Sequence, residues 1–250
     1  MEVHHHSHSS RKKWTHYFWE FLMLFLAVFC GFLAEYQLEH TIEHQREKQY
    51  ANTLYEDMKT DTAILKSTIR SINYVTQRID TFRALVQTKE IGSIPSGTWY
   101  YFGRFGSRNF QVSLQDATLE QLKSSGGLRY FKKRIVVDAV ARYDQACRHM
   151  RISLDLQNLL YNELIKTRNA LFNGWYMDNI MDYDLPGVNI DSFKMASPPL
   201  LSNDKKEFIQ YANCCQLRSY NNKFLRRQTE LALKNAETLL VELKKEYGLK

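Results

Sequence analysis

Three groupings in this 250-residue chain set chemically capable side chains at a spacing that one helix or one cap can use. The first is His40-Thr-Ile-Glu43-His44, which matches the H-x-x-E-H string of inverted zinc peptidases. Histidines at i and i+4 lie on one helical face and can share a zinc ion, with the glutamate between them as general base. Catalysis also needs a third ligand at an open, sheltered position, and the next histidine, His149, falls on another helix far along the chain. Residues 39–48 are dense in charge, which fits a solvated face better than a metal site. No metal, cofactor or catalytic residue is assigned, and the chain is not expected to be an enzyme.

The second grouping is Glu20 with Ala27, Gly31 and Ala34. At about 100° per residue the four share a helix face. Small residues so spaced let two helices approach closely inside a membrane, so the expected partner is a second copy or another membrane protein. The carboxylate either snorkels to the interface or serves as an intramembrane ionisable group in an ion-conducting or force-transmitting complex. Its place one turn inside a basic flank favours the first role.

The third grouping is basic and aromatic. Arg104, Arg108, Arg129, Lys132, Lys133 and Arg134 lie near Trp99 and Tyr100, and no acid occurs between Gln121 and Val137. A positive surface with exposed rings would suit an anionic glycan, a peptide or a protein. No small-molecule substrate is identified by any pattern, and no P-loop, dinucleotide, nucleophile-elbow or kinase string occurs.

These groups need elements to position them. The run FLMLFLAVFCGFLA, residues 21–34, is uncharged and flanked by Tyr17, Phe18, Trp19 and Tyr36. Extended to 14–38 it reaches the roughly 20 residues of a spanning helix, with aromatic belts at both ends. Phe32 at the −3 position disfavours signal cleavage after Ala34, and Phe29 disfavours a lipoprotein site at Cys30. Arg11, Lys12 and Lys13 precede the span and Glu35, Glu39 and Glu43 follow it, so the positive-inside rule puts the N-terminus in the cytoplasm. Residues 1–13 are then a His-rich cytoplasmic tail, 14–38 a signal anchor in contact with lipid, and 39–250 a periplasmic domain, where nucleic acid is not an expected partner.

Beyond the anchor, Leu54, Met58, Leu65, Ile69, Ile72, Val75, Ile79, Phe82 and Val86 recur at helical spacing in a narrow, coiled-coil-like stripe. No glycine or proline falls between Gly31 and Gly92, so the anchor is expected to run on as one helix. A second stripe carries Val136, Val140, Tyr143, Cys147, Met150, Leu154, Tyr161, Leu164 and Leu171, interrupted by Gln157 and Arg168. A third begins after Ser202-Asn203-Asp204 and carries Phe208, Tyr211, Cys215, Phe224, Leu231, Leu240 and Leu243. The expected fold is mostly α, a transmembrane helix continuing into an antiparallel up-down-up bundle. Residues 92–127 would form a small irregular distal cap, with 110–114 as a short strand, and 174–203 a membrane-proximal loop. Cys147, Cys214 and Cys215 are read as free thiols packed as small apolar groups.

Composition bounds the rest. With 44% hydrophobic and 24% charged residues, 4 Pro and 10 Gly, the chain is neither disordered nor collagenous nor a disulfide miniprotein. A net charge of +7 permits anionic partners without naming one. The strings YFWEFLMLFLAVFCGFLAEYQLEHTIEHQREKQY, LYEDMKTD and LKSSGGLRYF resemble a family of uncharacterised single-pass inner-membrane proteins of Bacteroidota, a domain of unknown function. The resemblance implies an inner-membrane anchor and a periplasmic helical domain, and no activity. The functional expectation is a membrane-anchored scaffold or interaction module within an oligomeric complex; the alternatives are the Glu20-dependent complex above and a sensor acting through partners.

Overall fold

The computed structural model describes residues 14–181 and 189–249. The histidine tail with Arg11, Lys12 and Lys13, and Tyr183 and Leu185 of the second joint, lie outside the described residues. Two compact units result, Met1–Tyr50 and Ala51–Lys250. Helix α1, Trp14–Thr88, supplies all the described structure of the first unit and the first long helix of the second. Its apolar window has a mean hydropathy of 2.0, and none of it is buried. By length and composition α1 is thus able to cross a membrane, and Gly31 does not interrupt it.

In the second unit follow α2 (Ser96–Gly103), α3 (Ala117–Ser124), α4 (Arg134–Leu171), α5 (Gly174–Met181), α6 (Ile190–Met195) and α7 (Lys205–Tyr247). The fold is mostly α, without a strand among the described residues. Local chemistry sets the ends. Asp204 accepts a hydrogen bond from the Lys206 amide at 2.8 Å and opens α7. Gly248, at φ 65°, closes it as the Leu249 amide turns back to Lys244 O.

The helix directions correct the up-down-up expectation. From the start of α7 onward, Lys205 donates to Lys89 O, Ser219 to Asp80 at 2.7 Å, Arg226 to Asn73 at 3.4 Å, and Glu237 pairs with Lys66 at 2.8 Å. Against α4, Phe208 meets Phe172, Arg218 meets Gln157, Asn235 donates to Arg142 O and Glu246 pairs with Lys133. Rising numbers in α7 thus meet falling numbers in both partners. Helices α1 and α4 run the same way, and α7 runs against both.

An extended crossover makes this possible. The Phe110 amide donates to Gln157 Oε1 at 3.1 Å and the Gln115 amide to Asp61 Oδ1 at 2.8 Å, so residues 108–116 run back along the bundle. Nine extended residues span about 30 Å, enough to return the chain to the Ala51 end before α4 starts. Phe110, Val112 and Leu114 are partly buried while Gln111, Ser113 and Gln115 are exposed. The alternation is that of a strand, but its neighbours are helices, so no ladder forms.

The two irregular joints therefore meet at one end instead of capping opposite ends. Ser96 donates to Pro198 O, the Gly97 amide to Ala196 O at 3.0 Å, Thr98 to Lys194 O at 3.0 Å and Tyr100 to Pro199 O at 2.8 Å. A core of Phe82, Trp99, Tyr100, Phe105, Phe172, Phe208 and Tyr211 fills the space beneath. Gly97 allows the crossing of α2 with α6, because a Cβ there would clash with Phe193 O and lie 2.8 Å from Ala196 O. Gly97→Ala is expected to cost about 2 kcal/mol by overpacking against backbone that cannot rotate away, measured as a lower melting temperature. An unchanged melting temperature would show that α6 yields freely.

Candidate functional site

The most concentrated chemistry lies around residues 101–110, the end of α2, a 3-10 turn at Arg104–Ser107 and the start of the crossover. Tyr101 and Phe105 stack edge to face at 5.7 Å and are surrounded by cations. The Arg104 guanidinium stands 4.8 Å from the Tyr101 ring and 4.7 Å from Phe105, Lys194 is 4.5 Å from Tyr101, and Arg78 lies 3.2 Å over Tyr74 and donates to the Tyr101 hydroxyl at 3.3 Å. Burial pushes the Tyr101 hydroxyl up, but hydrogen bonds from Arg78 and Tyr74 and the charges of Arg78 and Lys194 outweigh it, so its pKa is lowered.

Two further arginines tie this segment to the long helices. Arg168 of α4 donates to Ser107 Oγ at 2.7 Å and to Asn169 Oδ1. Arg218 of α7 is fully buried and donates to Gln157 Oε1 at 2.8 Å, Asn109 Oδ1 at 2.7 Å, Gln157 O and Arg108 O. Burial lowers the Arg218 pKa to about 10, which leaves it charged at neutral pH. Among the described residues Arg78, Arg168 and Arg218 donate only to neutral oxygens, so within that set three positive charges stand here without a carboxylate.

Two clefts flank the segment. One, about 730 Å³, is an open groove between α1 and residues 108–111, lined by Ser67, Thr68, Arg70, Ser71, Tyr74 and Arg108 among others. The other, about 200 Å³, lies between the 3-10 turn and α4 and is lined by Arg104, Phe105, Ser107, Arg108, Tyr161, Ile165 and Arg168. No acidic side chain lines either.

The basic-aromatic surface expected from sequence divides. Trp99 and Tyr100 are fully buried, not exposed: the Trp99 indole donates to Ile91 O at 2.9 Å, and the Tyr100 hydroxyl bridges Pro199 O and the Asn173 amide. Arg104 is buried among rings, while Arg108 is exposed. Arg129, Lys132, Lys133 and Arg134 are exposed at the Ala51 end, where Phe131 packs on Tyr247. From Arg134 to Gln157 is about 35 Å along α4, so the two basic groups form separate surfaces. Sequence reading missed Arg78, Arg168 and Arg218 as site residues. Gln157 and Arg168 as interruptions in an apolar stripe were the available signal.

Outward faces carry apolar residues at helical spacing. On α7 these are Leu217, Tyr220, Phe224 and Leu231, with Tyr220 72% exposed; on α4 they are Ile152, Leu156 and Leu159, with Leu159 77% exposed. Phe224 and Leu231, expected inside, thus face outward. The buried line of α7 is instead Leu225, Thr229, Ala232, Ala236 and Leu239.

In the first unit Glu20, Ala27, Gly31 and Ala34 are all exposed on α1, and a Cβ at Gly31 would meet nothing within 4 Å. Glu20 lies 3.2 Å from His16 Nε2, one turn earlier. His40, Glu43 and His44 are on the same helix, and no metal-holding group of three His, Cys, Asp or Glu side chains occurs among the described residues. The four cysteines are free, with Cys147 and Cys215 buried. Desolvation raises the Cys147 thiol to about 11, which keeps it protonated and unreactive. No family model, curated protein or solved structure matches the chain.

Proposed function

We propose that this chain is a membrane-anchored helical interaction module, held in the inner membrane by residues 14–38 with its N-terminus in the cytoplasm and its bundle in the periplasm. It works inside an oligomeric membrane assembly. The observation that carries this reading is the exposed stripe Leu217, Tyr220, Phe224 and Leu231 on α7, at spacings of three, four and seven residues. Such a stripe on a long helix is a seam for another helix. Exposed Ala27, Gly31 and Ala34 on α1 offer a close-packing face for the same kind of partner within lipid. The partner favoured by both is a second copy of the chain, since an isologous contact uses one patch twice.

Native mass measurement of the detergent-extracted full chain tests it. The wild type is expected as a dimer or larger species, and Leu217→Glu with Phe224→Glu is expected to shift it to monomer while leaving the melting temperature within about 2 °C, because exposed substitutions cost little. A wild-type chain that is strictly monomeric and co-purifies with no membrane protein would overturn the proposal.

A further inference from the structure

We infer that the crossover is an open β-edge, and that it takes an extended peptide segment of a partner protein as an added strand in the groove between residues 108–111 and α1. The inference stands apart from the α7 seam, because it uses other elements and needs no second copy of the chain.

Backbone hydrogen bonding carries it. The Phe110 amide donates to Gln157 of α4 and the Gln115 amide to Asp61 of α1, which pins the crossover at two points. Between those pins, the backbone N–H and C=O groups of residues 111–114 have no hydrogen-bond partner among the described residues. Successive residues of an extended chain turn these groups to opposite sides. Since Phe110 faces α4 and Gln115 faces α1, parity turns the N–H and C=O of Gln111 and Ser113 toward α1 and the groove beside it. Two donors and two acceptors so spaced are what one strand presents to the next, and an unpaired row of this kind is a template for strand addition.

The groove suits such an occupant in length and lining. Its α1 wall runs from Ile64 to Val75, about 17 Å along the helix, and five extended residues also cover about 17 Å. Ile64, Val75 and Phe110 offer apolar ground for alternate side chains of the segment, and Ser67 and Ser71 offer hydroxyls to the rest. A docked helix has its own backbone groups paired internally, so it would leave the row at Gln111 and Ser113 unanswered. Charge then selects among extended segments. The charged residues lining the groove are both arginines, and Arg70 is exposed with no hydrogen bond or ion pair among the described residues, so an acidic side chain on the segment is favoured.

Fluorescence anisotropy of the full chain in detergent tests the edge, with a labelled peptide that alternates valine and threonine between terminal glutamates as the probe. Saturable binding of one peptide per chain is expected. The same peptide with N-methyl groups on alternate backbone nitrogens keeps every side chain but loses the donors that would meet Gln111 and Ser113. Whichever set of alternate nitrogens faces the edge, its methylation is expected to weaken binding at least tenfold, and exchanging the glutamates for lysines is expected to weaken it several-fold. On the protein side, Ser113→Pro removes one groove-facing donor without breaking an internal hydrogen bond, and proline is tolerated on strand edges. This variant is expected to lose at least tenfold in affinity while keeping the wild-type circular dichroism. The methylated peptides keep the test independent of how that variant folds. No saturable binding of the unmethylated peptide, equal binding of the peptide and both methylated forms, or undiminished binding by a folded Ser113→Pro variant would overturn the inference.

Discussion

Arg218→Ala is expected to destabilise the bundle by about 3–5 kcal/mol, because it strands several buried acceptors at about 1–3 kcal/mol each and leaves a cavity where a large side chain was packed. The residue is fully buried, and its donors serve Gln157, Asn109 and Arg108 at once. Truncation leaves these oxygens without a donor and opens a void in the middle of the helix layer. For a unit of this size each kcal/mol moves the melting temperature by about 2–4 °C, so a fall on the order of 10 °C should appear in thermal circular dichroism. The crossover should loosen in the same variant, because Arg218 holds Arg108 and Asn109 to α7, and tryptic cleavage after the exposed Arg108 should become faster. Arg218→Lys should fall between, since an ammonium cannot reproduce the planar fork that reaches both α4 and the crossover. A melting temperature within about 2 °C of wild type would show that the tie lies elsewhere.

The same residue marks the limit of what the sequence could disclose. Spacings of three and four residues located α1, α4 and α7, and Asp204 announced the start of α7, because helical period and capping are local properties. Direction is not local. A short turn after α1 would make α4 antiparallel to it, but residues 108–116 carry the chain back down the bundle, and nothing in their composition separates a crossover from a cap. Burial along α7 was misread for a related reason: Phe224 and Leu231 are large, whereas the inward line passes through Thr229, Ala232 and Ala236, whose small side chains let the helices close up. Arg218 stands on that inward line and Gln157 on the facing line of α4, two polar breaks that turn out to pair. Trp99 and Tyr100 looked exposed because their surroundings are rich in glycine and arginine. Residues 190–201 fold over them, a contact made across about a hundred positions of sequence.

Asp61 pins the other end of the crossover, and its expected pH behaviour distinguishes an electrostatic tie from a merely geometric one. Its Oδ1 accepts from the Gln115 amide at 2.8 Å and its Oδ2 from the Tyr143 hydroxyl at 2.5 Å, joining α1, the crossover and α4. Burial raises its pKa above 3.8; the two hydrogen bonds pull downward, Asp57 and Asp116 push upward, and the balance is a raised value. The folded protein therefore holds this proton more tightly than the unfolded chain. Stability owed to Asp61 is complete below pH 3.8 and is lost as pH climbs from there through the raised value. Asp61→Asn removes the ionisation but keeps an oxygen for the Gln115 amide and a polar group for Tyr143. The stability of wild type relative to this variant should accordingly be greatest below pH 3.8 and decline as pH rises above it, read from melting temperatures across a pH series. Asp61→Ala, with no acceptor at all, should cost about 3 kcal/mol and free the Gln115 end of the crossover to hydrogen exchange. A wild-type-minus-Asn difference that stays flat across that range would show that the buried carboxyl changes its protonation no differently in the folded and unfolded chains, leaving Asp61 a hydrogen-bond acceptor whose charge has no bearing on the fold.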